Sequence, residues 1–194
     1  MEVIDQDAEA TLRQHNISRC MRCALKENGM AVPYIGSDVK CILIGEAPGE
    51  NKIIKREPFV GRAGQLLMNT FLRYGITREN FMILNTTNCR PVVLKDGKIK
   101  NGKPSLDQMK ACKLHNEFYV RQCGVEYVMT LGSYAQWLFT GEVENISRRV
   151  GSVIQSDGKQ IFINYHPAAT IYDQSKRGLF TEVVGRFCNA MGMD

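Results

Sequence analysis

A chain of 194 residues, 44% apolar and 23% charged with a formal charge of +5, has the length of one well-buried domain and an ordinary globular balance. No apolar run reaches the roughly 20 residues that span a bilayer, and the acidic, polar opening residues lack the apolar core of a secretory signal. A single cytoplasmic domain covering 1–194, monomeric and without a membrane partner, is therefore expected, and the charge alone favours a polyanionic partner only weakly.

In chain order, residues 5–17 carry helix formers with a weak apolar stripe and lead to Cys20 and Cys23, whose two-residue spacing lets two thiolates share one metal centre. His15 reads as a surface residue. Residues 39–44 (VKCILI) form a buried parallel strand, followed by Gly45, Glu46, Ala47, Pro48 and Gly49, a turn that sets backbone amides and a carboxylate just past the strand's carboxyl end. Open α/β sheets bind their ligands at that edge. Pro58-Phe59-Val60-Gly61 opens a helix whose Leu66, Leu67, Thr70 and Phe71 have helical period, running to about Tyr74 and stopping at Gly75.

A second buried strand at 80–85 ends in Asn85. Cys89-Arg90-Pro91 follows, then a lysine-rich hairpin turning at Asp96-Gly97. Ser105 N-caps a helix from 106 to about 122 that carries Met109, Cys112, Leu114 and Phe118 on one face. His115 on that helix reads as solvated rather than as a ligand. A third strand at 125–131 leads to Gly132-Ser133 and a short helix through Trp137, and residues 146–163 suggest two edge strands around Ser156 to Lys159. The second of these ends at His166-Pro167. The last helix, about 175–191, turns Leu179, Val183, Phe187 and Ala190 inward. Strands alternating with helices indicate a doubly wound, mainly parallel sheet.

The residues that end these strands are chemically coherent. A carboxylate at Glu46 can polarise water, a side-chain amide at Asn85 can read a base edge, His166 can stabilise an oxyanion, and Phe59 can stack on a ring. Each alone also fits an ordinary turn or loop, so the joint placement is the signal. Neither a Walker lysine nor a GxGxxG is present, which disfavours a nucleoside triphosphatase. Of the seven cysteines, Cys20, Cys23, Cys89 and Cys112 suit an iron–sulfur cluster or zinc, whereas Cys41, Cys123 and Cys188 fall inside strands or helices and read as core.

With these motifs in place, the sequence resembles the family 4 uracil-DNA glycosylases, iron–sulfur members of the uracil glycosylase superfamily. The likeness runs through CxxCxL at 20–25, GEAPGE at 45–50, PFVGRAGQLL at 58–67, NxxxCRP at 85–91, Cys112, LGxxA at 131–135 and HPAA at 166–169. The resemblance implies a three-layer α/β/α sandwich around a mainly parallel sheet. It implies a [4Fe-4S] cluster on Cys20, Cys23, Cys89 and Cys112, with zinc as the alternative. It also implies a monofunctional glycosylase that hydrolyses the N-glycosidic bond of uracil in DNA. In that scheme Glu46 activates water, Phe59 stacks on the flipped base, Asn85 pairs with its polar edge beside Gly45 and Ala47, and His166 bonds O2 as charge builds. Ser133 and the segment after HPAA would contact DNA, with Ile171 or Tyr172 as a wedge and Lys176 and Arg177 on phosphates.

The chain departs from the family at 51–57, where Lys52 replaces an acidic residue that shapes the base pocket. It departs again after Cys89-Arg90-Pro91, where the basic hairpin replaces a second proline and an Asn-Arg, and at Asn88, where a lysine is common. Two further readings stay open: a glycosylase for another damaged base, and a nucleic-acid-binding relative that does not cleave.

Overall fold

The computed structural model of the chain describes Ile17, residues 20–50, Ile53 and residues 58–193. Residues 5–16 of the expected helix, His15 and Lys52 lie outside these residues. Six strands form one sheet in the order β1-β3-β2-β6-β8-β7: β1 (Tyr34–Ile35), β2 (Cys41–Gly45), β3 (Phe81–Asn85), β6 (Tyr127–Leu131), β7 (Val153–Ser156) and β8 (Lys159–Asn164). The four inner strands run parallel, and β1 and β7 close the two edges antiparallel. A separate two-stranded hairpin is made by β4 (Val92–Lys95) and β5 (Lys98–Asn101).

The inner strands are apolar on both faces because helices cover both. Along β2, Cys41 and Leu43 face one side and Ile42 and Ile44 the other, as the two-residue period of a strand requires. The first side packs on α1 (Arg62–Leu72) and α5 (Arg177–Ala190) through Leu67, Phe71, Phe180, Val184 and Phe187. The second packs on α2 (Leu106–Gln122) and α3 (Ser133–Thr140) through Tyr119, Val120, Ala135 and Leu138. The result is the α/β/α sandwich that the sequence implies. Ser105 caps α2 by accepting from the Gln108 amide, and the Gln108 side chain accepts in return from the Ser105 amide.

Several details differ from the sequence expectations. β8 is an interior strand, parallel to β6, and of these two strands only β7 is an edge. The short β1 was not legible, since two residues carry no period. α1 ends at Leu72, ahead of Tyr74. On α5 the buried face is Phe180, Val183, Val184, Phe187 and Cys188, whereas Leu179 and Ala190 are exposed. Leu114 is exposed on α2, because the turn toward the sheet is carried by Met109, Cys112, Asn116 and Tyr119. The HPAA motif opens a short helix, α4 (Pro167–Tyr172), so Ile171 and Tyr172, expected in a loop that wedges into the duplex, form its last turn. Cys41, Cys123 and Cys188 are fully buried, and burial pushes the last two thiols up to about 12, which suits core residues. Among the described residues no helix is long and apolar enough to cross a membrane.

Phe187 meets Phe71, Phe162 and Tyr127 edge-on, with ring centroids 5.1–6.4 Å apart. Phe187→Ala should therefore destabilise the fold by about 3–5 kcal/mol, read as a lower denaturant midpoint.

Candidate active site

The parallel register of β2 and β3 sets Gly45 opposite Asn85, the last residue of each strand. A side chain at Gly45 would meet Asn85 Oδ1 at 2.9 Å and Phe59 Cζ at 3.2 Å, so the bare glycine backbone forms a floor between the amide and the ring. Asn85 is held from behind. Asn116 Nδ2, buried on α2, donates to the carbonyls of Asn85 and Thr86 at 3.1 and 3.0 Å. The Thr86 amide and hydroxyl both donate to Gly45 O, and the Thr87 amide donates to Glu46 O. These bonds carry the strand pairing one step past the sheet and fix the Glu46 turn.

Phe59 is buried and has a left-handed backbone, with φ of 57°, a conformation uncommon for a residue with a side chain. The surrounding structure supports it from two sides. Arg78 Nη2 donates to the Pro58 carbonyl at 2.8 Å. Gly64, in the first turn of α1, lies so close that an added Cβ would overlap the Phe59 carbonyl.

His166 caps α4. Its Nδ1 accepts the Ala168 amide at 3.2 Å, which leaves the proton of the neutral ring on Nε2, where it can be donated. The Phe59 and His166 rings lie 6.2 Å apart at 29°. With Gly49, Glu50, Gly64 and Asn101 they line a cavity of about 240 Å³. Gly132 backs His166 closely enough that a Cβ there would sit 3.3 Å from its Cβ. The structure thus brings Gly45, Phe59 and Asn85 together, with His166 beside Phe59, and places Glu46 and Ala47, both half-buried, in the turn that leaves the Gly45 floor.

Asn101 and Glu50 are wall residues that sequence reasoning passed over. Asn101 Oδ1 accepts from Arg90 Nε at 2.8 Å and from the Glu50 amide at 3.3 Å, and Arg90 also pairs with the Glu50 carboxylate at 3.4 Å. The Cys-Arg-Pro motif was the available signal for Arg90. Asn101 had none, because its position depends on the register of the hairpin.

The expected DNA-contacting residues separate. Ile171 and Arg177 border a second cavity of about 360 Å³ with Arg62, Gln65 and Asn69. Tyr172 is 90% exposed. Lys176 is ion-paired with Asp173 at 2.9 Å, and hydrogen bonds from Ser175 and Lys176 pull that carboxyl down to about 2. Ser133 is half-buried at the start of α3. Another cavity, of about 350 Å³, contains Lys159 and Arg121 at the opposite end of the sheet, away from all of these groups.

Cys20, Cys23, Cys89 and Cys112 border one small cavity with Asn88 and His115. Burial pushes the Cys89 thiol up to about 12, and Cys112, Cys23 and Cys20 add to it, which places all four thiols within electrostatic reach of one another. Among the described residues no three His, Cys, Asp or Glu side chains are grouped to hold a single metal ion. His115 is half-buried with Nε2 3.4 Å from Cys20 Sγ, so the expectation of a solvated histidine is corrected. Asn88 Nδ2 is buried with no hydrogen-bond partner among the described residues, an unmet donor on the wall of a thiol-lined cavity.

Gly64→Ala tests the support beneath Phe59. Alanine would ordinarily stabilise a helix position by about 1 kcal/mol. Here the overlap with Phe59 should reverse the sign and destabilise by about 1–3 kcal/mol, measured by denaturation.

The sequence model of the family described as the Uracil DNA glycosylase superfamily matches residues 32–187. A protein named type-4 uracil-DNA glycosylase from Archaeoglobus fulgidus is 33% identical over 169 residues, covering 80% of each chain. Its namesake from Saccharolobus solfataricus is 32% identical over 183 residues, 86% of this chain and 79% of that one. A third, from Pyrobaculum aerophilum, is 29% identical over 187 residues, 88% and 89% of the two chains. With a matched region that includes the cavity and its floor, the chain belongs to the uracil DNA glycosylase superfamily, among its type-4 members.

Proposed function

We propose that the protein is a monofunctional uracil-DNA glycosylase that hydrolyses the N-glycosidic bond of uracil in DNA, leaves an abasic site and so initiates base excision repair. The observation that carries this reading is the one cavity that the Phe59 and His166 rings line together, 6.2 Å apart, with the His166 ring oriented by the Ala168 amide on its Nδ1. A uracil extruded from DNA stacks on Phe59, rests on the Gly45 backbone and pairs its polar edge with the Asn85 amide. The bond from C1′ to N1 breaks, the electron pair goes to the departing base, and the His166 Nε2–H stabilises the charge growing on O2. Water adds to C1′ and gives its proton toward Glu46. The tight Gly45 floor favours a flat ring, and extrusion is least costly where uracil is mispaired or single-stranded.

The cysteine cavity fits a [4Fe-4S] cluster. Four thiols bordering a common space suit a cuboid that binds each thiolate at a separate iron, whereas zinc draws four sulfurs to about 2.3 Å of one point. The unmet Asn88 amide and the His115 ring supply donors toward sulfur, and the Asn88 backbone amide already donates to Cys112. The group's contribution is structural, since base hydrolysis transfers no electrons. It would tie the Cys20–Cys23 segment to the Cys89 loop and to α2.

The glycosylase reading is tested on a uracil-containing oligonucleotide followed by alkaline cleavage of abasic sites. Strand breaks are expected from single-stranded and U:G substrates, and their absence from both would overturn the reading. His166→Ala should lower the single-turnover rate by about 10²–10³, as the loss of one oxyanion donor does. For the cluster, purified protein should be brown and carry iron and sulfide, and Cys89→Ser should lose the visible absorption. A colourless, zinc-loaded preparation made without air would refute it.

A further inference from the structure

The β4–β5 hairpin is built for a partner the rest of the fold does not supply. Its turn residues Asp96 and Gly97 both have positive φ, 54° and 68°, the tight two-residue turn that suits twisted strands. The register pairs Val92 with Asn101, Val93 with Lys100, Leu94 with Ile99 and Lys95 with Lys98. Because faces alternate along a strand, the Leu94–Ile99 pair shares a face with Asn101, and the Lys95–Lys98 and Val93–Lys100 pairs occupy the other. Asn101 is itself a wall of the Phe59–His166 cavity, held by Arg90 and the Glu50 amide. The face that begins at the cavity wall therefore continues outward as an apolar pair that is 76% and 66% exposed.

Two features indicate what covers it. Lys95 and Lys98 are directly opposed, and like charges in that position destabilise a hairpin unless an anion lies between them. Lys100 is paired with Asp96, while Lys103 at the exit lies 5.8 Å over the Tyr134 ring, next to Ser133. An apolar strip continuous with a base-sized cavity, backed by Lys95 and Lys98, which have no acidic partner among the described residues, fits a nucleic-acid strand with its bases on one side and its phosphates on the other.

We propose that the hairpin is a second DNA-binding element. Leu94 and Ile99 pack on the nucleotide adjoining the extruded one, and Lys95 and Lys98 bind its phosphates. The assignment rests on the glycosylase reading for the position of the extruded base.

The test measures binding of the full-length protein to a duplex carrying a non-cleavable abasic analogue, and separately the rate of uracil release at saturating single-stranded substrate. The Leu94→Ser/Ile99→Ser double variant should bind about tenfold or more weakly, with the saturating rate within about twofold of the parent. Lys95→Gln/Lys98→Gln should reduce the salt dependence of binding by about one to two released counterions. Parental affinity in the first variant with a parental salt slope in the second would overturn the proposal, and would favour a protein partner for the apolar pair. A parent protein that releases no uracil would instead overturn the glycosylase reading. Both variants change exposed residues, so their thermal midpoints should match the parent and serve as the folding control.

Discussion

The parallel pairing that sets Gly45 against Asn85 is the constraint on which the rest of the site depends. Only a residue without a side chain leaves room at that point for both the Asn85 amide and the Phe59 ring. The same logic repeats one layer out, where Gly64 lets the Pro58–Phe59 turn sit directly on α1 and Gly132 lets β6 approach His166. Three close approaches made by glycine thus hold the two rings, Phe59 and His166, that line one cavity. A rigid sheet makes this effective, since β2 and β3 are buried along their whole length and cannot shift to accommodate an added atom.

A second dependence runs through one peptide link. Cys89 borders the thiol-lined cavity, and the next residue, Arg90, reaches Asn101 and Glu50 on the wall of the other cavity. The Arg90 amide donates to Gly29 O and the Ala31 amide to Asn88 O, so the segment after Cys23 is laced to the same loop. Whatever holds the four thiols together also holds the base of the hairpin and one wall of the cavity. A structural role for a group in the cysteine cavity can therefore influence catalysis without touching the reacting bond.

Much of the fold was legible in the sequence because its signals are local. Buried parallel strands read as apolar runs, Ser105 announces a helix N-cap, and Asp96-Gly97 announces a hairpin. Phe59, Asn85 and His166 were legible for a related reason, since each lies at or just past the carboxyl end of a strand or in the turn beside it. The errors share a cause as well. Leu114, Leu179 and Ala190 have helical spacing, but spacing defines a stripe and not the direction in which it points. Burial on α2 and α5 followed Asn116 and Phe180 instead. β8 read as an edge because its partner β6 lies 33 residues earlier in register, Tyr127 against Gln160 onward, beyond any local pattern.

By itself, then, the sequence determined the strand and helix alternation, the turn chemistry and the identity of the polar residues at the strand ends, all of which follow from backbone sterics and the periodicity of apolar residues. Only the tertiary structure decided how those residues meet. The turn of His115 toward Cys20 depends on a contact 95 residues apart, and the place of Asn101 in the cavity wall on Arg90 and Glu50. Contacts of that kind are set by the packing of whole elements against a common sheet, which no window of sequence contains.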